Sequence, residues 1–167
     1  MKAAATKGES VIILLVEDDP AHAEIVRRNF VNFRIVNRPV QLVHVVDGQL
    51  ALDYLFRRAE FQDPNQSPRP NLILLDLRLP KLDGLEVLKT VKADADLASI
   101  PVVILTTSSA EADIAKAYDD HANSYLVKPM DLPQFNQLMD AIGFYWLVWN
   151  QHPDRHGNAG VLFEKQA

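Results

Sequence analysis

The chain has 167 residues, of which 48% are hydrophobic and 23% are charged, and its 17 Lys and Arg against 22 Asp and Glu give a formal net charge of −5. This length predicts one domain with an ordinary hydrophobic core, and we expect no separate sensor or output domain within it. The composition excludes a disordered or membrane-spanning chain, and the acidic excess argues against broad binding to nucleic acid.

The absence of cysteine and the short length of the first apolar run indicate where in the cell the protein is located. The chain contains no cysteine, which excludes disulfide bonds, thiolate metal sites and cysteine nucleophiles. The run at residues 11–16 is too short for a membrane helix and continues directly into three acidic residues. Signal peptides do not end in this way, so we expect a cytoplasmic protein whose partner is neither a membrane nor a nucleic acid.

The first predicted elements are a flexible leader, a buried strand and a helix. Residues 1–10 are small and polar, and residues 11–16 (VIILLV) form an unbroken apolar run that is typical of a strand buried on both faces of a parallel sheet. Asp19 and Pro20 then combine a capping side chain with a residue suited to the first helical turn, which predicts the start of a helix.

The rest of the chain repeats this alternation of strand and helix. Strands are predicted at residues 39–46, 72–75, 101–105 and 124–127, and helices from Asp47 onward and at residues 82–92, 110–121 and 131–149. The segment 60–71 holds three prolines and is predicted to be a loop. Together these elements predict an α/β fold over residues 11–149, namely a five-stranded parallel sheet with helices on both faces, followed by a C-terminal extension at 150–167.

Polar residues stand at the ends of four of the predicted strands. The run 17–19 (EDD) follows the first strand, Asp76 the third, Thr106 the fourth and Lys128 the fifth. The carboxyl ends of parallel strands share one edge, where such sheets bind ligands, so we expect these side chains to converge. Clustered carboxylates need a cation to remain ionised, and oxygen ligands alone suit Mg²⁺ or Mn²⁺ better than Zn²⁺.

Each of these residues alone also has a simpler explanation. Asp19 could be only a helix cap, an acid after a strand is often a turn residue, and Lys128 could begin an ordinary loop. Their joint occurrence at one edge favours a functional site. There, Lys128 can pair with a carboxylate or phosphate oxygen, Thr106 can hydrogen-bond the same anion, and Asp76 is placed to act as a carboxylate nucleophile.

Four segments resemble the signature segments of the receiver domains of two-component response regulators: ILLVEDDP, LILLDLRLPKLDGLEVL, PVVILTTS and SYLVKP. The spacings between Asp18, Asp76, Thr106 and Lys128 match the same family, and the resemblance extends over about residues 11–145. It implies a flavodoxin-like receiver fold with strand order 2-1-3-4-5. It also implies a signalling protein that is phosphorylated by a partner histidine kinase, not an enzyme with turnover.

The resemblance further implies a role for each residue of the metal and phosphoacceptor site. Asp76 would accept the phosphoryl group. Mg²⁺ would be bound by the carboxylates of Asp18 and Asp76, by Glu17 mainly through water, and by the backbone carbonyl of Arg78.

Other positions would sense or tune the phosphoryl group. Thr106 and Lys128 would bind its oxygens, and Tyr125 would be the aromatic switch residue that turns inward when Thr106 moves. Arg78 and Ser108 stand where this family tunes its own dephosphorylation. Two backbone features are also implied: a cis peptide bond between Lys128 and Pro129, and a glycine, Gly84, that permits an unusual backbone angle at the start of the third helix.

The end of the last helix is more apolar than one core-facing stripe requires. Its surplus aromatic residues would form an exposed patch unless the residues that follow, 150–167, or a partner cover them. We predict a homodimer through this helix, with four aromatic residues at the interface: Phe144, Tyr145, Trp146 and Trp149. The loop at 60–71 and the aromatic extension most resemble the stand-alone regulators of bacterial phytochromes, which implies a light-sensing histidine kinase as phosphodonor.

Three other classes of protein are weighed against this interpretation. A haloacid-dehalogenase-like phosphatase or phosphotransferase also uses an aspartyl nucleophile, but it requires a second Asp two residues later, where this chain has Arg78. A nucleotide-binding flavodoxin-like module would need a Gly-rich phosphate loop, and the six glycines are scattered. A phosphorylation-independent adaptor is disfavoured because every chemical position is filled.

Overall fold

The computed structural model describes residues 10–33 and 38–151, so most of the predicted leader and of the C-terminal extension lies outside the described residues. Its elements are β1 (Val11–Val16), α1 (Pro20–Val31), β2 (Val40–Val45), α2 (Gly48–Leu55), a short 3₁₀ helix (Ala59–Phe61), β3 (Leu72–Leu75), α3 (Gly84–Ala93), β4 (Val102–Thr106), α4 (Glu111–Asp119), β5 (Ser124–Val127), α5 (Leu132–Gly143) and a terminal π-helix (Phe144–Trp149). Within this part of the chain, none of the helices has the length and apolar character needed to cross a bilayer.

The five strands form one parallel sheet in the order β2-β1-β3-β4-β5, which confirms the predicted architecture. β1 is wholly buried, as its unbroken apolar run predicts, and it pairs with both β2 and β3. Val16 at the end of β1 pairs with Leu75 at the end of β3. The residues that follow these two strands, Glu17 and Asp76, are therefore neighbours at the carboxyl edge of the sheet.

The sheet separates two hydrophobic cores. Side chains of a strand alternate between its faces, so Leu14 and Val16 of β1 pack against α2, α3 and α4. Ile13 and Leu15 of the same strand pack against α1, α5 and the terminal helix. Helices therefore cover both faces of the sheet, and the strands that end at its carboxyl edge are packed on both sides.

Aspartate side chains begin four of the helices. Asp19, Asp47, Asp83 and Asp131 each accept a hydrogen bond from a backbone N–H in the first turn of α1, α2, α3 and α5. This capping explains why α3 begins at Gly84 and not at residue 82, because Asp83 stands outside the helix as its cap.

Gly84 is required for a different reason from the one predicted. Its φ does not lie in the left-handed region; a Cβ atom there would instead lie 2.2 Å from the carbonyl oxygen of Asp76 and 2.6 Å from Cα of Leu77. The expectation of an unusual backbone angle is therefore wrong, and the glycine serves a close approach of two backbones. The left-handed conformation in this loop is at Lys81, with φ of 65°.

The peptide bond between Lys128 and Pro129 is trans, because the described residues contain no cis peptide bond. The expected cis bond is wrong, and the bond has the isomer that X–Pro bonds ordinarily adopt. Lys128 leaves the sheet with its N–H donating to the carbonyl oxygen of Thr106 at 2.7 Å.

The last helix changes its winding where the aromatic run begins. α5 ends at Gly143, and Asn150 N–H donates to the carbonyl oxygen of Tyr145 at 2.8 Å, a spacing of five residues. This winding leaves Trp146 buried in the core, with 8% exposed, whereas Tyr145 and Trp149 are 57% and 76% exposed. Phe144 is 41% exposed and packs edge-on against Phe33 of the α1 side.

Candidate functional site

Three acidic side chains meet at the carboxyl edge of the sheet. Glu17 and Asp18 follow β1 and Asp76 follows β3, and one oxygen of each lies within 4.8 Å of the others. Glu17 and Asp76 are buried, whereas Asp18 is exposed to solvent. The structure thus brings together the predicted carboxylate ligands, and an all-oxygen set of this kind fits Mg²⁺ or Mn²⁺.

A single buried lysine joins the two buried acids. Lys128 Nζ donates to Glu17 Oε2 at 2.5 Å and to Asp76 Oδ2 at 2.7 Å. Because one ammonium faces two carboxylates, the three side chains together carry an excess negative charge, which a cation can compensate. Lys128 is equally placed to pair with a new anionic group attached to Asp76.

The two buried acids differ in how firmly they hold a proton. Burial is the largest influence on both. It raises the pKa of Glu17 above its usual value of 4.5, although the hydrogen bond and charge of Lys128 act in the opposite direction. At Asp76 burial is outweighed by Lys128, with help from hydrogen bonds of Thr106 and of Arg78 N–H, so that the pKa is lowered below 3.8. Asp76 is therefore ionised at neutral pH.

Thr106 and Tyr125 lie on the β4–β5 side of this acid. Thr106 is fully buried beside Asp76, and its hydroxyl oxygen faces the N–H of Ser108 at 3.4 Å. Tyr125 is half-buried against the core on the α2–α3–α4 face, and its hydroxyl donates to the carbonyl oxygen of Ser108 at 2.9 Å. Both predicted switch residues thus contact the loop between β4 and α4.

Asp19 and Arg78 contribute mainly through local hydrogen bonds. Asp19 Oδ1 accepts from the N–H of Ala21 at 2.8 Å and of His22 at 3.2 Å, so its role here is that of a helix cap. Arg78 N–H donates to Asp76 Oδ1 at 3.2 Å, which helps to orient the Asp76 carboxylate.

Two neighbours of the site are not predicted from the sequence. Nδ1 of His22, in the first turn of α1, lies 3.2 Å from Lys128 Nζ and 3.8 Å from Glu17 Oε1. Asp113, in the first turn of α4, binds the guanidinium of Arg78 at 2.5 Å. First-turn residues of helices that follow a strand face the same edge as the strand ends, and this position is the signal that would have identified both.

Comparison with known proteins agrees with this geometry. A model of the response regulator receiver domain matches residues 13–142. The probable methanogenesis regulatory protein FilR2 of Methanothrix harundinacea is 43% identical to this chain over 85% of the chain and 87% of FilR2. Response regulator Rcp1 of Synechocystis is 42% identical over 81% of the chain and 88% of Rcp1.

Solved structures give the same result. The phosphorylated cyanobacterial phytochrome response regulator RcpA superimposes with a TM-score of 0.81 at 40% identity, over 86% of this chain and 99% of RcpA. The Mn²⁺-bound form of Rcp1 superimposes with a TM-score of 0.79, also at 40% identity and over the same shares. Sequence, fold and site geometry therefore agree, and this chain belongs to the response regulator receiver domain family.

Proposed function

We propose that this protein is a response regulator that accepts a phosphoryl group from a histidine kinase on Asp76, with Mg²⁺ or Mn²⁺ as cofactor. The observation that carries the proposal is the ionised Asp76 carboxylate, held by Lys128 at 2.7 Å beside two further acids. The output is a changed surface that is recognised by another protein.

The transfer itself requires an aligned nucleophile and neutralised charge more than covalent assistance. A carboxylate oxygen of Asp76 forms the new bond to phosphorus, the P–N bond to the donor imidazole breaks, and the imidazole retains the electron pair. Lys128 supplies one positive charge beside the acceptor. Thr106, fully buried at the same edge, offers a hydroxyl to the transferred group.

The metal would be held by Asp18, Asp76 and the backbone carbonyl of Arg78, with Glu17 acting mainly through water. A bound Mg²⁺ supplies charge neutralisation for the phosphoryl oxygens. The exposed position of Asp18 leaves one side of the acidic cluster accessible to solvent.

Labelling by acetyl phosphate tests the acceptor. Wild type with Mg²⁺ should incorporate phosphate to a limit of one per chain, and Asp76→Asn should incorporate none. Asp83→Asn is the matched control, because Asp83 only caps α3 and Asn can also cap a helix. Equal labelling of wild type and Asp76→Asn would disprove the assignment.

The same experiment separates the switch from an aspartyl-nucleophile enzyme. A phosphatase or phosphotransferase would release product continuously at substrate excess, whereas a switch stops near stoichiometric labelling. Arg78, with its guanidinium bound to Asp113, occupies the position where the haloacid-dehalogenase chemistry requires a second catalytic Asp. This contact supports the switch.

We also propose that the phosphodonor is a phytochrome-type histidine kinase, which the likeness to RcpA supports. Kinase preference is a kinetic property, so phosphotransfer from each histidine kinase of the source organism should be compared at short times. The proposal expects the fastest transfer from a kinase with a phytochrome sensor. Faster transfer from another kinase would contradict it.

A homodimer through the terminal helix completes the proposal. Phe144, Tyr145 and Trp149 leave a large aromatic area exposed at one end of the molecule, whereas Trp146 packs into the core and supports the helix from within. Exposed aromatic patches of this kind are typical of protein interfaces.

A further inference from the structure

One carboxylate outside the phosphoacceptor site connects three segments around it. Asp113 Oδ2 accepts from the guanidinium of Arg78 at 2.5 Å and from the hydroxyl of Ser108 at 2.6 Å. Arg78 belongs to the loop after β3, Ser108 to the loop after β4, and Asp113 to the first turn of α4. The side chain of Asp113 is only 13% exposed, so this pair of contacts is partly shielded from water.

The contact between Arg78 and Asp113 crosses the carboxyl edge of the sheet beside Asp76. β3 and β4 are adjacent, with Leu75 paired to Ile104, so the loops that follow them flank the gap in which Asp76 and Thr106 lie. The Arg78 guanidinium spans this gap to reach Asp113, while Arg78 N–H donates to Asp76 itself. Asp76 is 6% exposed in this arrangement.

The loop after β4 is fixed from a second direction as well. Its Ser108 is held through the hydroxyl by Asp113 and through the carbonyl oxygen by Tyr125. Removal of Asp113 therefore releases Arg78 and the hydroxyl of Ser108, while the contact from Tyr125 remains.

We infer that Asp113 is a positioning residue that fastens Arg78 across the entrance to Asp76 and so limits the access of small phosphodonors and of hydrolytic water. This inference rests on the proposed phosphorylation of Asp76. A barrier to access slows the approach of every small molecule to Asp76, so opening it speeds phosphorylation by acetyl phosphate and hydrolysis of the aspartyl phosphate alike. Because Arg78 is largely exposed, its ion pair with Asp113 is weak, and we expect loss of the pair to change each rate by about fivefold.

The test measures both rates in the full chain with Mg²⁺. Asp113→Ala should accelerate acetyl phosphate labelling and dephosphorylation, each about fivefold. Glu111→Ala is the matched control, because Glu111 is also an acid in the first turn of α4 and is exposed. Its removal changes the charge at the helix start to the same extent and should leave both rates unchanged.

A double variant shows whether Asp113 acts through Arg78. In Arg78→Ala, Asp113 keeps only its contact with Ser108 and has no guanidinium to fasten, so Arg78→Ala/Asp113→Ala should match Arg78→Ala in both rates. A purely structural role would instead give independent effects in the two backgrounds and a lowered melting temperature. Asp113→Asn, which keeps the size of the side chain, is the second variant and should show acceleration in the same direction if Asp113→Ala does not fold.

The outcomes are distinguishable from failure of the phosphorylation proposal. Absence of label in wild type would disprove phosphorylation of Asp76 and, with it, this inference. Normal labelling of wild type with unchanged rates in Asp113→Ala and Asp113→Asn would overturn the inference alone. Acceleration of only one of the two rates would also overturn it, because a barrier to access predicts both.

Discussion

The ammonium of Lys128 is shared by two carboxylates that respond to it differently. Glu17 is buried more completely than Asp76, and burial raises its pKa in spite of the ion pair, whereas the pKa of Asp76 is lowered by the same lysine. The site without metal therefore holds one firmly ionised acid and one acid whose ionisation is opposed by burial. This difference suits the proposed roles, since a nucleophile must be ionised and the second acid could ionise fully when a cation is bound.

Without divalent metal, Glu17 makes the stability of the protein depend on pH. A folded-state pKa above 4.5 means that the contribution of Glu17 to stability is complete below that pH and is lost as the pH rises through the folded value. Glu17→Gln removes this loss, so at neutral pH and without metal the variant should be more stable than wild type. Urea unfolding in EDTA should show the difference shrinking as the pH falls toward 4.5.

Asp76 gives the opposite sign in the same titration. Its contribution to stability is present above 3.8 and is lost as the pH falls through its lowered folded pKa. Asp76→Asn should therefore not reproduce the profile of Glu17→Gln in acid. If the two variants have the same pH profile, the assignment of opposite pKa shifts is wrong.

Bound metal should also change the stability of the protein. Ligand that binds only the folded state stabilises it by about 2.7 kcal/mol at 100 times its dissociation constant. Mg²⁺ should raise the melting temperature of wild type, and the shift should be strongly reduced in Asp18→Asn. Asp18 is exposed, so this variant should fold normally without metal, and an unreduced shift would place the ion elsewhere.

At the scale of elements, α3 begins in direct contact with the backbone that follows β3. Gly84 leaves no space for a Cβ atom beside the Asp76 carbonyl and Leu77 Cα. Gly84→Ala must displace backbone, and we expect it to lower the free energy of unfolding by about 1–3 kcal/mol and to slow labelling of Asp76. Glu86→Ala, an exposed change in the same first turn, is the control and should alter neither. A Gly84→Ala protein with wild-type stability would disprove the close approach.

The elements were predictable from the sequence where local patterns decide them. Local sequence predicts β1 from its unbroken apolar run, and it predicts the starts of two helices from the caps Asp19 and Asp47. The structure confirms this strand and both helix starts. The close approach at Gly84 could not be predicted, because the atoms that forbid a Cβ belong to Asp76 and Leu77 across a turn. The π-helical winding of residues 144–149 was likewise not predicted, and its buried residues, Trp146 and Leu147, pack in the core with residues distant in the sequence.

The residues of the candidate site also divide into those that the sequence predicts and those that it does not. Strand ends are visible in the sequence, so the pattern of apolar runs alone places Glu17, Asp76 and Thr106 at one edge of the sheet. His22 and Asp113 are helix residues whose contacts depend on the direction of each side chain after the turn. Their distances to Lys128 and Arg78 required the three-dimensional arrangement of α1 and α4.

At the scale of the whole molecule, the exposed aromatic residues of the terminal helix predict assembly. Light scattering at micromolar concentration should give twice the chain mass of 18.8 kDa. Tyr145→Ser/Trp149→Ser should give a folded monomer, because both side chains are mostly exposed in the single chain. Tyr118→Ser, which removes another exposed aromatic residue from α4, should remain a dimer. A monomeric wild type would contradict the predicted interface.

The separation of the two hydrophobic cores by the sheet affects how phosphorylation and dimerisation could be coupled. Tyr125 packs with the core on the α2–α3–α4 face, whereas Trp146 and Leu147 pack with the core on the α1–α5 face. A rearrangement confined to the core around Tyr125 would not directly involve the residues that support the terminal helix. Dimerisation through that helix would then not depend on phosphorylation. Each dimer would present two surfaces that change independently, one for each subunit. A target protein that binds both surfaces could therefore distinguish dimers with none, one or two phosphorylated subunits.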